Sequence, residues 1–344
     1  MDVFRYRVNA ITIIVNQSTM TPSAIPFKDC KSDNPYVRYY RTLQSRWLLA
    51  NNIPVKKREG REDYEVYGNY TSDREANFMT KGIRELVDFE LSPENKGDRL
   101  IDETRMRENL LSSQPLCFNL FGELKLNHNK ALQFFNILYN NYFSSIDNIL
   151  FEYNPSRRDP QLTGDRSAFD VFVEYTSKNG KHGFIGIEVK YSETLMEGRD
   201  TVDDILNKQF CNEPRTRRDR YRELSIGLFG ETKFEQLEKL PLFQIWRDHL
   251  LAVSMANAFT EKYDEGIFLF LSPHSNVPCR EGVEEYVRIL EKPEGMNSYF
   301  FHDWLEDYID TLDTVFDKEW TKQMAIRYLG RTSIPSKRRG SKSF

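Results

Sequence analysis

The sequence predicts an α/β fold: a small mixed sheet flanked by helices, with helical extensions at both ends. Three observations predict it. The middle of the chain reads helix, strand, strand, strand, helix, strand. Two of those strands are joined by a tight turn containing Asn-Gly. One later run, GIFLFL at 266–271, is continuously apolar, as a strand covered on both faces must be. The chain has 344 residues, enough for one large domain or a core with a smaller module.

The elements follow in order. Ala10–Val15 reads as a short strand, followed by a polar loop with Pro22 and Pro26. Asn34-Pro35 opens a helix through Asn51, because Asn caps a helix and Pro fits its first turn. Ser72 or Asp73 caps a second helix to about Phe89, with Phe78, Ile83, Leu86 and Val87 on one side. Shorter helices run through Glu103–Leu111 and Cys117–Leu126, and a longer one spans Lys130–Tyr142. Ile146–Tyr153, Ala168–Thr176 and His182–Tyr191 are the three strands. A charged, partly helical insertion occupies about 195–240, then a strong helix spans Leu242–Phe259. Two or three helices finish the chain. The expected organisation is a mostly helical extension over 1–112, a core over 113–275, packing helices over 276–335 and a disordered tail over 336–344.

Composition narrows the function classes. Hydrophobic residues at 39% and charged residues at 29% supply a real core and argue against wholesale disorder. A net charge of −4 does not advertise a nucleic-acid binder, yet a local basic groove or a bound cation can hold phosphate inside an acidic protein. Cys30, Cys117, Cys211 and Cys279 lie far apart in sequence, which argues against a zinc ribbon and for a reducing compartment. The histidines are equally scattered, and His249 on the long helix reads as structural. The charged start and short apolar run fit no signal peptide, and no stretch reaches the roughly 18 to 20 apolar residues of a membrane span. A cytoplasmic protein with no membrane partner is expected.

The chemistry is carried by FDVFVEYTSKNGKHGFIGIEVKYSE, residues 169–193. The triplet Glu188–Lys190 has four competitors of the [DE]xK form: Asp29–Lys31, Glu94–Lys96, Glu123–Lys125 and Glu231–Lys233. Only Glu188–Lys190 lies in an apolar strand that directly follows another strand carrying an Asp. A two-residue Asn-Gly turn would place Asp170 opposite Val189, with the two carboxylates on opposite faces. A three-residue loop over Lys178–Gly180 instead places Asp170 opposite Glu188. Hydrophobicity selects the second register, since Val171–Ile187, Val173–Ile185 and Phe169–Val189 then form one apolar face. The other face gathers Asp170, Glu188 and Lys190.

Opposed carboxylates repel at a Cβ separation of about 4.5–5.5 Å, and a divalent cation turns that cost into a binding site. Hard oxygen ligands suit Mg²⁺ or Mn²⁺ rather than zinc. Such an ion can engage a phosphodiester oxygen and acidify water, and Lys190 on the same face can stabilise transition-state charge. The plain alternative is a solvated hairpin face with incidental charges.

Strand-Asp, hairpin, Glu-x-Lys, long helix and strand together resemble the PD-(D/E)XK nuclease superfamily, its restriction-endonuclease-like branch most closely. GDRSAFD (164–170) resembles the approach to the metal-binding Asp, GIEVKY (186–191) the second motif, and SSQPLCFNLFGEL (112–124) the segment before the core. The resemblance covers roughly 115–275. It implies an αβββαβ core, Asp170 and Glu188 as metal ligands with the Val189 carbonyl assisting, and Lys190 as the catalytic lysine. Phe169 stands where the motif's Pro would precede the Asp, as in many members that also lack it.

Many members add an acidic residue from the helix before the sheet. Glu123 matches best and Glu152 is its rival. Gln244, at the start of the helix after the hairpin, resembles an accessory motif, and Arg247 lies on nearly the same face. Arg215, Arg217 and Arg218 in RTRRDRYR are candidates for phosphate contact, beside the simpler reading of a solvated charged helix. The resemblance implies a Mg²⁺-dependent deoxyribonuclease of restriction or defence type, with Mn²⁺ substituting, DNA as partner and a homodimer as a possible assembly. Two alternatives stay open: a catalytically silent nucleic-acid-binding or assembly protein on the same fold, and a nuclease acting on RNA or branched DNA.

Overall fold

A computed structural model describes residues 30, 33–56, 68–97, 99, 101–155, 157–195 and 200–331. The expected Ala10–Val15 strand and the 336–344 tail lie outside the described residues. In chain order the principal elements are α1 (Pro35–Ala50), α2 (Lys81–Leu91), α3 (Glu103–Glu108), α4 (Ser113–Leu126), α5 (His128–Leu138), β1 (Phe143–Tyr153), β2 (Phe169–Ser177), β3 (His182–Val189), α6 (Arg217–Leu224), α7 (Leu242–Ala258), β4 (Glu265–Ser272), α8 (Val277–Ile289), β5 (Phe300–Trp304), α9 (Leu305–Phe316) and α10 (Glu319–Leu329).

The strands form one five-stranded sheet in the order β1-β2-β3-β4-β5. β1–β2 and β2–β3 are antiparallel, while β3–β4 and β4–β5 are parallel. Parallel neighbours need a crossover, and α7 and α8 lie in those connections. β5 comes from a segment expected to be helical alone. Its five residues are too few for a clear alternation and run directly into α9, which masked the strand in the sequence.

Both sheet faces are covered. Val171, Val173, Ile185, Ile187, Ile267 and Leu269 pack with α2, α4, α5, α9 and α10. Phe172, Phe184, Phe268 and Phe270 pack with α6, α7 and α8. The hairpin is therefore a central, two-sided element rather than a half-solvated one, and the incidental-charge reading loses its solvated face.

Local signals set the ends of the elements. Asn34 caps α1 by accepting from the Val37 amide at 3.0 Å, as expected. The second helix starts later than expected, because Thr80 rather than Ser72 or Asp73 caps it, accepting from the Ile83 amide at 3.1 Å. Among the described residues no helix is long and apolar enough to cross a membrane.

Candidate active site

The β2–β3 turn fixes the site. Ser177 donates its amide to the Lys181 carbonyl at 2.8 Å, and Gly180 takes φ +79°, a left-handed conformation that costs glycine little. That is the three-residue loop, and the ladder runs Val173–Ile185 and Val171–Ile187 as expected. Asp170 therefore stands opposite Glu188. On the other side, β1 pairs Phe151 with Val171 and Tyr153 with Phe169, which brackets Glu152 opposite Asp170. Glu152, Asp170 and Glu188 thus occupy one row across three adjacent strands.

The ladder between β2 and β3 ends at Val171–Ile187, and the next amide, Val189, donates to Asp170 Oδ2 at 2.8 Å. Phe169 departs from its expected place on the aliphatic face. Its ring turns into the other layer and lies over Gly186, where a Cβ would come within 2.5 Å of it. Gly186 makes that rotation possible.

The side chains around the row are held by specific donors. Lys190 Nζ lies 2.6 Å from Glu188 Oε1, and Gln244 Nε2 donates to the same oxygen at 3.3 Å. Glu188 and Lys190 are 8% and 9% exposed, so this charge pair is held largely out of water. Gln114, in the first turn of α4, donates to Glu152 Oε1 at 2.7 Å. Glu152 itself adopts φ +48°, a strained conformation for a residue with a Cβ, of the kind that clusters at functional sites.

The row carries concentrated negative charge. Burial pushes the Asp170 carboxyl well above the ordinary range, and Glu188 and Glu152 push further. Burial, with Glu188 adding to it, raises Glu152 to about 7. Burial works against the Lys190 charge, but Glu188 and Asp170 outweigh it and hold the ammonium form. On α7, Asp248 is buried and raised to about 7 by burial, with Glu188 contributing, while its partner Arg247 at 2.9 Å opposes the rise.

Of the residues expected from sequence, the structure brings together Asp170, Glu188, Val189, Lys190 and Gln244. It does not bring Glu123 to them. The Glu123 carboxylate accepts from the Thr80 hydroxyl that caps α2. Only the first turn of α4 meets the row, and Glu123 lies nine residues past Gln114, about 13 Å along the axis. The rival, Glu152, is the acidic residue in the row. Gln114 lies within the segment 112–124 that resembles the approach to the core, but nothing local singles out it or Arg105. Glu152 had a local signal: it lies at the end of the strand that precedes the hairpin.

The arginine run is largely neutralised within the insertion. Arg215 pairs with Glu213 and Glu223 and covers the Phe210 ring at 4.8 Å. Arg218 reaches Asp203, Asn207 and Glu238. Arg217, the first residue of α6, keeps a buried Nε with no hydrogen-bond partner among the described residues. His249 sits between the Tyr286 hydroxyl at 2.8 Å and the Ser298 carbonyl at 2.6 Å, a buried structural histidine.

The donor set suits a hard divalent cation: opposed carboxylates beside a backbone carbonyl at a ladder end. Among the described residues no group of three or more His, Cys, Asp or Glu side chains is arranged to enclose a metal ion. Lys190 and Gln244 hold Glu188, and the Val189 amide holds Asp170.

The fold and this row define a nuclease-type α/β core. A model of the PD-(D/E)XK nuclease superfamily matches residues 31–330, well beyond the hairpin, and the chain belongs to that superfamily. The chain matches no curated protein and no solved structure.

Proposed function

We propose that the protein is a divalent-metal-dependent deoxyribonuclease that hydrolyses phosphodiester bonds, with Asp170, Glu188 and Lys190 as its catalytic centre. The observation that carries this reading is the row of carboxylates. A purely structural sheet gains nothing from placing Glu152, Asp170 and Glu188 side by side, the last buried and the other two half-buried.

Asp170, Glu188 and the Val189 carbonyl would hold the ion, with Glu152 taking the additional acidic place expected of Glu123. Mg²⁺ is the proposed ion and Mn²⁺ its substitute; when bound it supplies Lewis acidity toward the phosphodiester and a more acidic water. The chain's own groups do the rest. The Lys190 ammonium offsets charge that develops on the phosphoryl oxygens and orients the attacking water. Gln244 fixes Glu188, Gln114 fixes Glu152, and the Val189 amide fixes Asp170, so the oxygens are positioned before substrate arrives. The resemblance to the restriction-endonuclease-like branch supports a restriction or defence role.

The test is cleavage of plasmid and linear duplex DNA with Mg²⁺ or Mn²⁺. Asp170→Ala, Glu188→Ala and Lys190→Ala should each abolish cut product while circular dichroism stays unchanged. Variants that cut like the wild type would overturn the assignment.

A further inference from the structure

Beside the proposed cation, the row has few side-chain positive charges to meet a polyanion. Lys190 is committed to Glu188 and its side chain is 11% exposed. Arg99 is 18% exposed and pairs with Glu90. Arg105 differs. It lies on α3, in the N-terminal extension, and its side chain is 43% exposed.

Two short chains of contacts tie Arg105 to the row. Its Nε donates to Ser112 Oγ at 2.7 Å; that same oxygen accepts from the Gln114 amide at 3.2 Å, and Gln114 holds Glu152. Its Nη2 donates to Glu193 Oε1 at 2.8 Å. Glu193 follows Lys190 by three residues and accepts the Tyr191 amide through its other oxygen at 3.1 Å. Glu193 Oε1 also takes the Ser113 amide at 2.8 Å, so its charge is shared with two backbone donors. Arg105 Nη1 has no partner among the described residues. The guanidinium is fixed in orientation, exposed, and only partly neutralised. Burial disfavours its charge, but Glu193, Asp170 and Glu152 act on it in the opposite direction, which places it within their field.

We infer that Arg105 is a substrate-binding residue of the site, its free guanidinium edge taking a backbone phosphate of the DNA beside the cleaved bond. The inference rests on the nuclease reading above and assigns the N-terminal extension a part in the site. Arginine suits the task because its planar fork can hold Ser112 and Glu193 on one edge and offer the other to a phosphate.

The experiment is a salt titration of binding to a fluorescent DNA duplex in EDTA, so that no cleavage intervenes. Arg105→Gln should weaken binding roughly tenfold or more and lower the magnitude of the log–log salt slope by about 1. Arg105→Lys should recover the slope but only part of the affinity. Glu193→Gln removes the charge that pairs with Arg105 and keeps one oxygen, enough for the Ser113 or the Tyr191 amide but not both; with the fold intact by thermal unfolding it should bind as tightly as the wild type or more tightly. Thermal unfolding of each variant checks the fold. Wild-type affinity and slope in Arg105→Gln would overturn the inference and leave the nuclease reading standing. So would a loss in Glu193→Gln that matches Arg105→Gln, because Arg105 would then serve only to hold Glu193. A wild-type protein that binds no duplex at low salt, in EDTA or with Ca²⁺ in place of Mg²⁺, would overturn both.

Discussion

Replacing Glu152 by Gln separates charge from shape in the carboxylate row. The amide keeps an oxygen for Gln114, now at 2.7 Å, but removes one negative charge. Burial, aided by Glu188, lifts Glu152 from its ordinary 4.5 to about 7, which corresponds to about 3 kcal/mol at roughly 1.4 kcal/mol per tenfold change in ionisation. The sign follows from linkage. The folded carboxyl binds its proton more tightly than the unfolded one, so its contribution to stability is intact below pH 4.5 and is lost as pH rises through 7. In metal-free buffer Glu152→Gln should match the wild type near pH 4 and exceed it by about 3 kcal/mol at pH 8, measured by urea unfolding. Added Mg²⁺ should stabilise the wild type by mass action and the variant much less, reversing the gap. Cleavage should fall roughly 100-fold or more, since even outer supports of a metal site cost 10- to 100-fold. Glu123→Gln should leave both readouts unchanged. A stability difference that does not vary with pH, or a Glu152→Gln protein that still cuts, would refute this account of the row.

Three further outcomes follow from the packing. Gly186→Ala sets a methyl within 2.5 Å of the Phe169 ring and should cost about 1–3 kcal/mol, seen as a lower Tm, with cleavage reduced because Phe169 adjoins Asp170. Arg327→Met should lose about 1.5–3 kcal/mol and leave per-molecule cleavage intact, because this buried arginine joins α10 to the Asn77 carbonyl at 2.9 Å and to Gln44 of α1 at 3.0 Å. Burial lowers the pKa of His249 from 6.5 to about 3, so the stability of its neutral form is present above pH 6.5 and lost as pH falls toward 3. His249→Gln should therefore be less stable at pH 7 and show a flatter acid limb in unfolding between pH 6.5 and 3.

The sequence was most legible where one local rule was decisive. An odd-length turn at Lys178–Gly180 determined which residues of β2 and β3 face each other, so Asp170 met Glu188 as expected. Gln244 joined them from the start of α7. Legibility failed where contacts span long separations. Phe172 and Phe184 share the hairpin face that carries Asp170 and Glu188, which read as the site face, yet with Phe268 and Phe270 of the doubly covered strand they build the second core layer. Glu123 sat in the more suggestive motif, but helix geometry carries it away from the row and toward Thr80. Gln114 reaches Glu152 from α4 and Arg105 reaches Glu193, just past β3, from α3, and no local pattern around either residue points to those partners.

A catalytic cation bound by the row of Glu152, Asp170 and Glu188 can be looked for directly. The most direct measurement is anomalous scattering from crystals of the protein grown with Mn²⁺. A Mn²⁺ peak is expected bonded to Asp170 and Glu188, with Glu152 in its inner or water-bridged sphere, and the peak should be lost in Asp170→Asn. Saturating Mn²⁺ that leaves the row empty, with Lys190 still bridging Glu188, would contradict this assignment.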